Sequence, residues 1–158
     1  MDFKFLRCIF IGFTVVLLGC QSSPDFEVLK SEIVALHKIE IDAHWKKDID
    51  FFVRDISEDY MTVSNGEIQR PTLEDIRSRF SSYLINTTFT EYRDVAEPII
   101  GFSKDGFLAW AIFQITVAGK RMQDDGSVRD LDFTCAWLTL YERQGDTWVR
   151  LTDVSTFK

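Results

Sequence analysis

Phe107-Leu108-Ala109-Trp110-Ala111-Ile112-Phe113 is the stretch on which the fold turns, because it is apolar at every position. A strand with one wet face alternates apolar and polar side chains, so an unbroken apolar run marks a strand covered on both faces. Residues 107–118 are therefore read as a central strand. Lys104-Asp105-Gly106 turns the chain into it, and Asp124-Asp125-Gly126 turns the chain toward a second long strand at 131–143. Gln144-Gly145-Asp146 closes a last hairpin into residues 148–157. Three long strands joined by Asp- and Gly-containing turns make an antiparallel meander.

Upstream of the meander, residues 86–100 are rich in Thr, Phe and Tyr, carry Pro98 near their end, and read as a further strand. Thr72 with Asp75 three residues on is a capping box, and Pro71 stands just ahead of it. The helix it starts runs to about residue 83, with Ile76, Phe80 and Leu84 on its inner face. Tyr60-Met61-Thr62-Val63 is a short strand that Asn65-Gly66 folds into a tight hairpin. From 26 to 47 the spacing is helical. Leu29, Ile33, Leu36, Glu40, Ala43 and Lys47 share one flank, and Ile33, His37, Ile41, His44 and Trp45 the next. Only a narrow polar strip at Ser31, Lys38 and Asp42 is left, so this helix is expected to be buried on most sides. Asp48 caps a second, short helix at 49–56. Helices first and sheet afterwards define an α+β fold.

Composition narrows the function classes. The chain has 158 residues, 46% hydrophobic and 14% aromatic, enough for one domain with a substantial core and far too apolar for disorder. A net charge of −7 without any Lys/Arg cluster argues against a nucleic-acid partner. Three unevenly placed cysteines make neither a disulfide scaffold nor a zinc site of the usual spacing.

The N-terminus carries Lys4 and Arg7, then an uncharged run from Cys8 to Cys20. Its apolar part is shorter than the roughly 20 residues that a membrane-spanning helix needs. A basic start, a short apolar stretch and a small residue at its end read as a secretory signal. That stretch ends in Leu17-Leu18-Gly19-Cys20, followed by Gln21-Ser22-Ser23, and so resembles the lipobox of bacterial lipoproteins. The resemblance implies that residues 1–19 are removed as a signal peptide and that Cys20 is lipidated. Residues 20–26 are then a tether and 27–158 the folded domain. Two or more acyl chains give stable anchoring where one does not. Gln21 after the cysteine resembles lipoproteins sorted to the outer membrane of Gram-negative bacteria. The expected location is thus the cell envelope, on the outer membrane and facing the periplasm. Cys135 is left as the free thiol, in an apolar strand, and reads as a small buried hydrophobe.

The order of elements resembles the nuclear-transport-factor-2-like superfamily, nearest to its SnoaL-like small domains of unknown function. Three segments carry the likeness: Ala43-His44-Trp45-Lys46-Lys47-Asp48 at a helix end, Glu58-Asp59-Tyr60-Met61-Thr62-Val63-Ser64-Asn65-Gly66 at the first hairpin, and Gly145-Asp146-Thr147-Trp148-Val149-Arg150-Leu151 at the closing one. The resemblance implies a cone-shaped, curved antiparallel sheet packed on N-terminal helices. Relatives include ketosteroid isomerase and polyketide cyclases and dehydratases, besides pockets with no assigned chemistry. In the isomerases a carboxylate on the first hairpin is the base. Here Ser64 and Asn65 stand at that place, and neither takes a proton at neutral pH. No catalytic residue carries over.

Candidate ligand-binding residues are His44, Trp45, Tyr60, Tyr83, Trp110 and Asp132. The aromatic members, with Trp137, are of a kind to line an apolar cavity. His44 is expected at the pocket mouth. Asp132 shares a strand face with Thr134, Ala136 and Leu138: on a concave face it would be a buried carboxylate of raised pKa, at the strand end a solvated turn residue beside Arg129. Asp153 likewise interrupts a strand pattern. His37, Glu40 and His44 resemble a metal face, but a spacing of seven holds the two imidazoles about 10 Å apart along the helix, so no metal and no cofactor is expected. The expected function is that of an envelope-anchored, non-catalytic domain binding a small apolar ligand or a protein partner. The alternative is an isomerase, dehydratase or cyclase that uses Asp132 or His44 as base. Because the helices cover one sheet face only, a homodimer is expected to close the other, near Trp110 or Ile112 and Trp137 or Leu138.

Overall fold

The computed structural model describes residues 23–158; the signal segment 1–19 and Cys20 lie outside the described residues. Asp25 opens helix α1 (Phe26–Lys46) by accepting from the backbone N–H groups of Glu27 and Val28. Lys47 ends it in the left-handed conformation, at φ 57°, and Asp48 at once caps helix α2 (Ile49–Val53) through the N–H of Phe51. Two further strands follow, β1 (Ile56–Ser64) and β2 (Glu67–Gln69), joined at Asn65-Gly66 with both residues at positive φ. That is the conformation an Asn-Gly hairpin turn requires. Helix α3 (Leu73–Ile85) begins on the expected capping box, in which Thr72 and Asp75 bond each other's backbone N–H.

The rest is sheet: β3 (Thr87–Asp94), β4 (Ile99–Phe102), β5 (Leu108–Met122), β6 (Val128–Gln144) and β7 (Thr147–Phe157). The long strand expected at 86–100 is broken in two. Its halves pair one after the other along the outer edge of β5, and the backbone leaves the ladder ahead of Pro98, which cannot donate to it. The strand order is β2-β1-β7-β6-β5-β3, with β1 parallel to β7 and the meander antiparallel as expected. Register shifts between Ile56 and Met61, Phe89 and Glu91, and Leu140 and Tyr141 bend the strands, and the sheet curves without closing.

Alternation along β5 sorts the two faces. Ala109, Ala111, Phe113, Ile115 and Val117 are buried against α1, and their cross-strand partners Tyr141, Thr139, Trp137, Cys135 and Phe133 share that concave side. Leu108, Trp110, Ile112, Gln114 and Thr116 point the other way. Glu32 ties α1 to the last hairpin, accepting from the Trp148 indole at 2.8 Å and from Arg143 at 3.2 Å. Among the described residues no helix is long and apolar enough to cross a membrane.

Candidate functional site

Side chains from α1 meet the concave face in two zones. In the first, His44 and Tyr92 stack at 4.0 Å between ring centroids, with Phe52, Tyr83 and Phe89 set edge-on around the imidazole. The Glu40 carbonyl can only accept, so His44 Nδ1 donates to it at 2.9 Å, and Nε2 accepts from the Tyr92 hydroxyl at 2.9 Å. Both nitrogens are used, and His44 is neutral. Burial pushes its pKa down to about 4, opposed by the bond to Glu40 and helped by the nearby His37. Two turns earlier, His37 stacks on Phe113 at 4.0 Å, and its Nε2 donates to the Asp94 carboxylate at 2.6 Å. Its Nδ1 is buried without a partner, and burial outweighs Asp94 in holding the pKa low. Cys135 lies on the same face, its thiol pushed up to about 11, first by burial.

The second zone is polar. Asp153 on β7 accepts from Tyr60 of β1 and from Thr139 of β6, each at 2.5 Å, and so joins three strands. Arg150 donates to the carbonyls of Phe51, Phe52 and Arg54 and fastens the end of α2 to the sheet. Glu40 sits between the zones. Loss of water raises its carboxyl to about 7, against the pull of Arg150 and with repulsion from Asp153 and Asp94 adding to the rise. It lines a cavity of about 20 Å³ together with Leu36, Tyr141, Trp148 and Arg150, and that volume admits a single water. Chemically, this zone offers a carboxyl able to exchange a proton near neutral pH, but no space for a substrate beside it.

Of the residues singled out in the sequence, His44, Tyr60 and Tyr83 meet in this interior. His44 is fully buried rather than at a mouth. Three others belong elsewhere. Asp132 lies opposite Ala118 on the convex side and is exposed, so it is a solvated strand-end residue and no pocket acid. Trp110 is also convex: it faces Leu140 and lays its ring over Gly101, where an added Cβ would come within 2.3 Å of the ring. Trp45 is half exposed at the edge of α1, against Phe89. Trp137, expected near the outer face, points inward onto His37 and Phe113. Sequence reasoning did not find Tyr92, Asp94, Thr139 or Arg150. Asp153 alone left a signal, as a carboxylate inside a strand pattern. Among the described residues no group of His, Cys, Asp or Glu is arranged to hold a metal. A shallow groove of about 370 Å³, lined by Asn86, Thr88, Thr90, Gly119, Lys120, Met122 and Val128, opens on the outer side of the sheet.

This architecture is the nuclear-transport-factor-2-like fold. The chain is similar to a nuclear-transport-factor-2-like protein from Cytophaga hutchinsonii (TM-score 0.63, 17% identity, covering 80% of this chain and 96% of that one). It is similar also to a superfamily member from Salmonella enterica serovar Typhimurium (TM-score 0.65, 16% identity, 84% and 92% covered). A third likeness is to the association domain of C. elegans CaMKII (TM-score 0.57, 15% identity, 82% and 96% covered). No protein-family model matches the sequence, and no curated protein matches it significantly. At these identities the likeness is one of fold, and the fold hosts both enzymes and non-catalytic binders.

Proposed function

We propose that this protein is a lipoprotein of the bacterial cell envelope whose domain works by protein–protein contact, beginning with a second copy of itself. One observation carries the reading: the cone is filled on the inside while its outside is bare. Where a ligand pocket was expected, His44 and Tyr60 are packed and hydrogen-bonded, Tyr83 is packed edge-on to His44, and the space beside Glu40 has room for one water only. On the convex face Ile99, Leu108, Trp110 and Val154 are exposed around Ile112, Leu138 and Leu140. An apolar strip across four strands, uncovered by any described helix, is what an interface looks like before its partner arrives. A two-fold pair, sheet against sheet, closes it most simply. The likeness to an association domain supports self-association. The lipobox at 17–20 supports cleavage before Cys20, its lipidation, and outer-membrane placement facing the periplasm.

Sedimentation of the full lipidated chain in density-matched detergent tests this. A dimer mass is expected, and a monomer mass at micromolar concentration would end the assembly reading. The rival, an isomerase, dehydratase or cyclase, keeps one observation in its favour, the Glu40 carboxyl poised at about 7. It would need the cone to open to ligand size on binding. Soaking or titration with apolar ketones that left the Glu40 environment unchanged would dispose of it.

A further inference from the structure

The end of the sheet where β5 begins carries a second uncovered apolar surface, which meets the convex strip at Leu108. Gly106, at φ 73° in the turn before β5, is pressed against the start of the described chain. An added Cβ there would lie 2.9 Å from Pro24 and 2.9 Å from Leu29. The chain therefore leaves the domain beside Phe107. Around that point Phe26 (41% exposed), Val28 (51%), Phe107 (54%) and Leu108 (40%) all open to the outside. They are held there by fixed structure. Phe26 packs on Phe102 at 5.6 Å, the Ser103 N–H donates to the Leu108 carbonyl, and the Arg143 N–H donates to the Phe107 carbonyl at 2.7 Å.

From Cys20 to Pro24 is four residue steps, at most about 14 Å when fully extended. If Cys20 carries acyl chains in a bilayer, this end of the domain cannot stand far from the headgroups. Large apolar side chains at that depth gain by entering the interfacial layer, aromatic ones above all. Charges near the rim are mixed. Asp25 and Asp105 are occupied in a helix cap and a turn, Arg143 pairs with Glu32, both signs alternate along the neighbouring sequence, and among the described residues no run of Lys or Arg is present to select anionic lipid. We infer that Phe26, Val28, Phe107 and Leu108 form a docking rim that seats the domain on a zwitterionic membrane surface. This rests on the lipid-anchor reading.

The test uses the full lipidated chain in phosphatidylethanolamine–phosphatidylcholine vesicles with brominated acyl chains. A Phe107→Trp variant is compared with its parent, so that the four native tryptophans subtract out. The expected result is that most of the added emission is quenched. Adding Phe26→Asp and Val28→Asp, both outside the convex strip, should abolish that quenching while the protein still sediments with the vesicles. Unquenched emission from vesicle-bound Phe107→Trp overturns the docking rim, as does quenching that survives the two Asp changes. Cys20→Ala separates the premises: if it sediments with vesicles like the parent, the lipid-anchor reading fails. If it is lost from them while the anchored Phe107→Trp stays bright, only the rim fails.

Discussion

The two faces of the same sheet are built from similar residues and do opposite things. On the concave side Phe113, Tyr92 and Tyr141 are buried, Trp137 is half-buried, and they are matched to histidines, hydroxyls and carboxylates from α1, β1 and β7. On the convex side Trp110, Ile112, Leu138 and Leu140 are as apolar, yet nothing among the described residues lies over them. What separates the faces is the supply of covering elements, because the described helices α1, α2 and α3 pack on one side. The proposed contact surface on the outside rests on that difference. An interior whose polar groups are nearly all bonded is made for stability, whereas an apolar face without cover has free energy still to gain from a partner.

The comparison is broken most directly from the inside. Phe113 stacks on His37 and lies 5.3 Å from Trp137. Phe113→Ala should leave a cavity beneath α1 and lower unfolding free energy by about 3–5 kcal/mol. Urea denaturation measures it. A loss below about 1 kcal/mol would mean that the interior yields readily, as a ligand-binding cone does, and the contrast between faces would collapse.

Glu40 sharpens the comparison by pH. Burial raises its carboxyl to about 7 in the folded protein from 4.5 for a glutamate in water. Between those values the folded state keeps a proton that the unfolded chain has released, so stability falls as pH rises through the window and stays lower above it. His44, at about 4 against 6.5, works in the opposite sense: there the unfolded chain holds the extra proton, and stability falls as pH drops. Glu40→Gln leaves the His44 slope in both proteins and removes the Glu40 one. The variant should gain about 2 kcal/mol over its parent near pH 8, and the gain should vanish near pH 4. A variant weaker than its parent at both pH values would show that the ionised carboxylate is satisfied where it sits.

Much of the scaffold was legible because the signals are local. Thr72 and Asp75 find each other within one turn, Asn65-Gly66 needs no partner to adopt positive φ, and Asp48 caps the helix that follows it. The α+β order and the meander followed from such punctuation. The parallel pairing of β1 with β7 did not, since Thr62 and Asp153 are joined by register alone. The candidate site was legible only in part. Alternation says that Asp132, Thr134, Ala136 and Leu138 share a face, but not that it is the convex one. In the wholly apolar run that holds Trp110 there is no phase to read at all. Tyr92 and Asp94 take their meaning from His44 and His37 on another element, a pairing that only the folded chain creates.

The smallest effect on stability falls on the outer face, and there the contrast is decided. Ile112 lies in the middle of the convex strip, opposite Ile99 of β4 on one side and Leu138 of β6 on the other. Within one subunit Ile112 is partly covered by its strand neighbours, but in Ile112→Lys the lysine stem can lie along those neighbours with the ammonium in solvent. The isolated fold should therefore lose no more than about 1 kcal/mol. Across a two-fold the same change places two ammonium groups near the axis, desolvated and of like charge, which a close-packed apolar interface cannot accept. Sedimentation should show dimer in the parent and monomer in the variant, with circular dichroism unchanged. A variant that stays dimeric would move the interface elsewhere. One that unfolds would show the convex face to be part of the subunit's own core, and the two faces would no longer differ in kind.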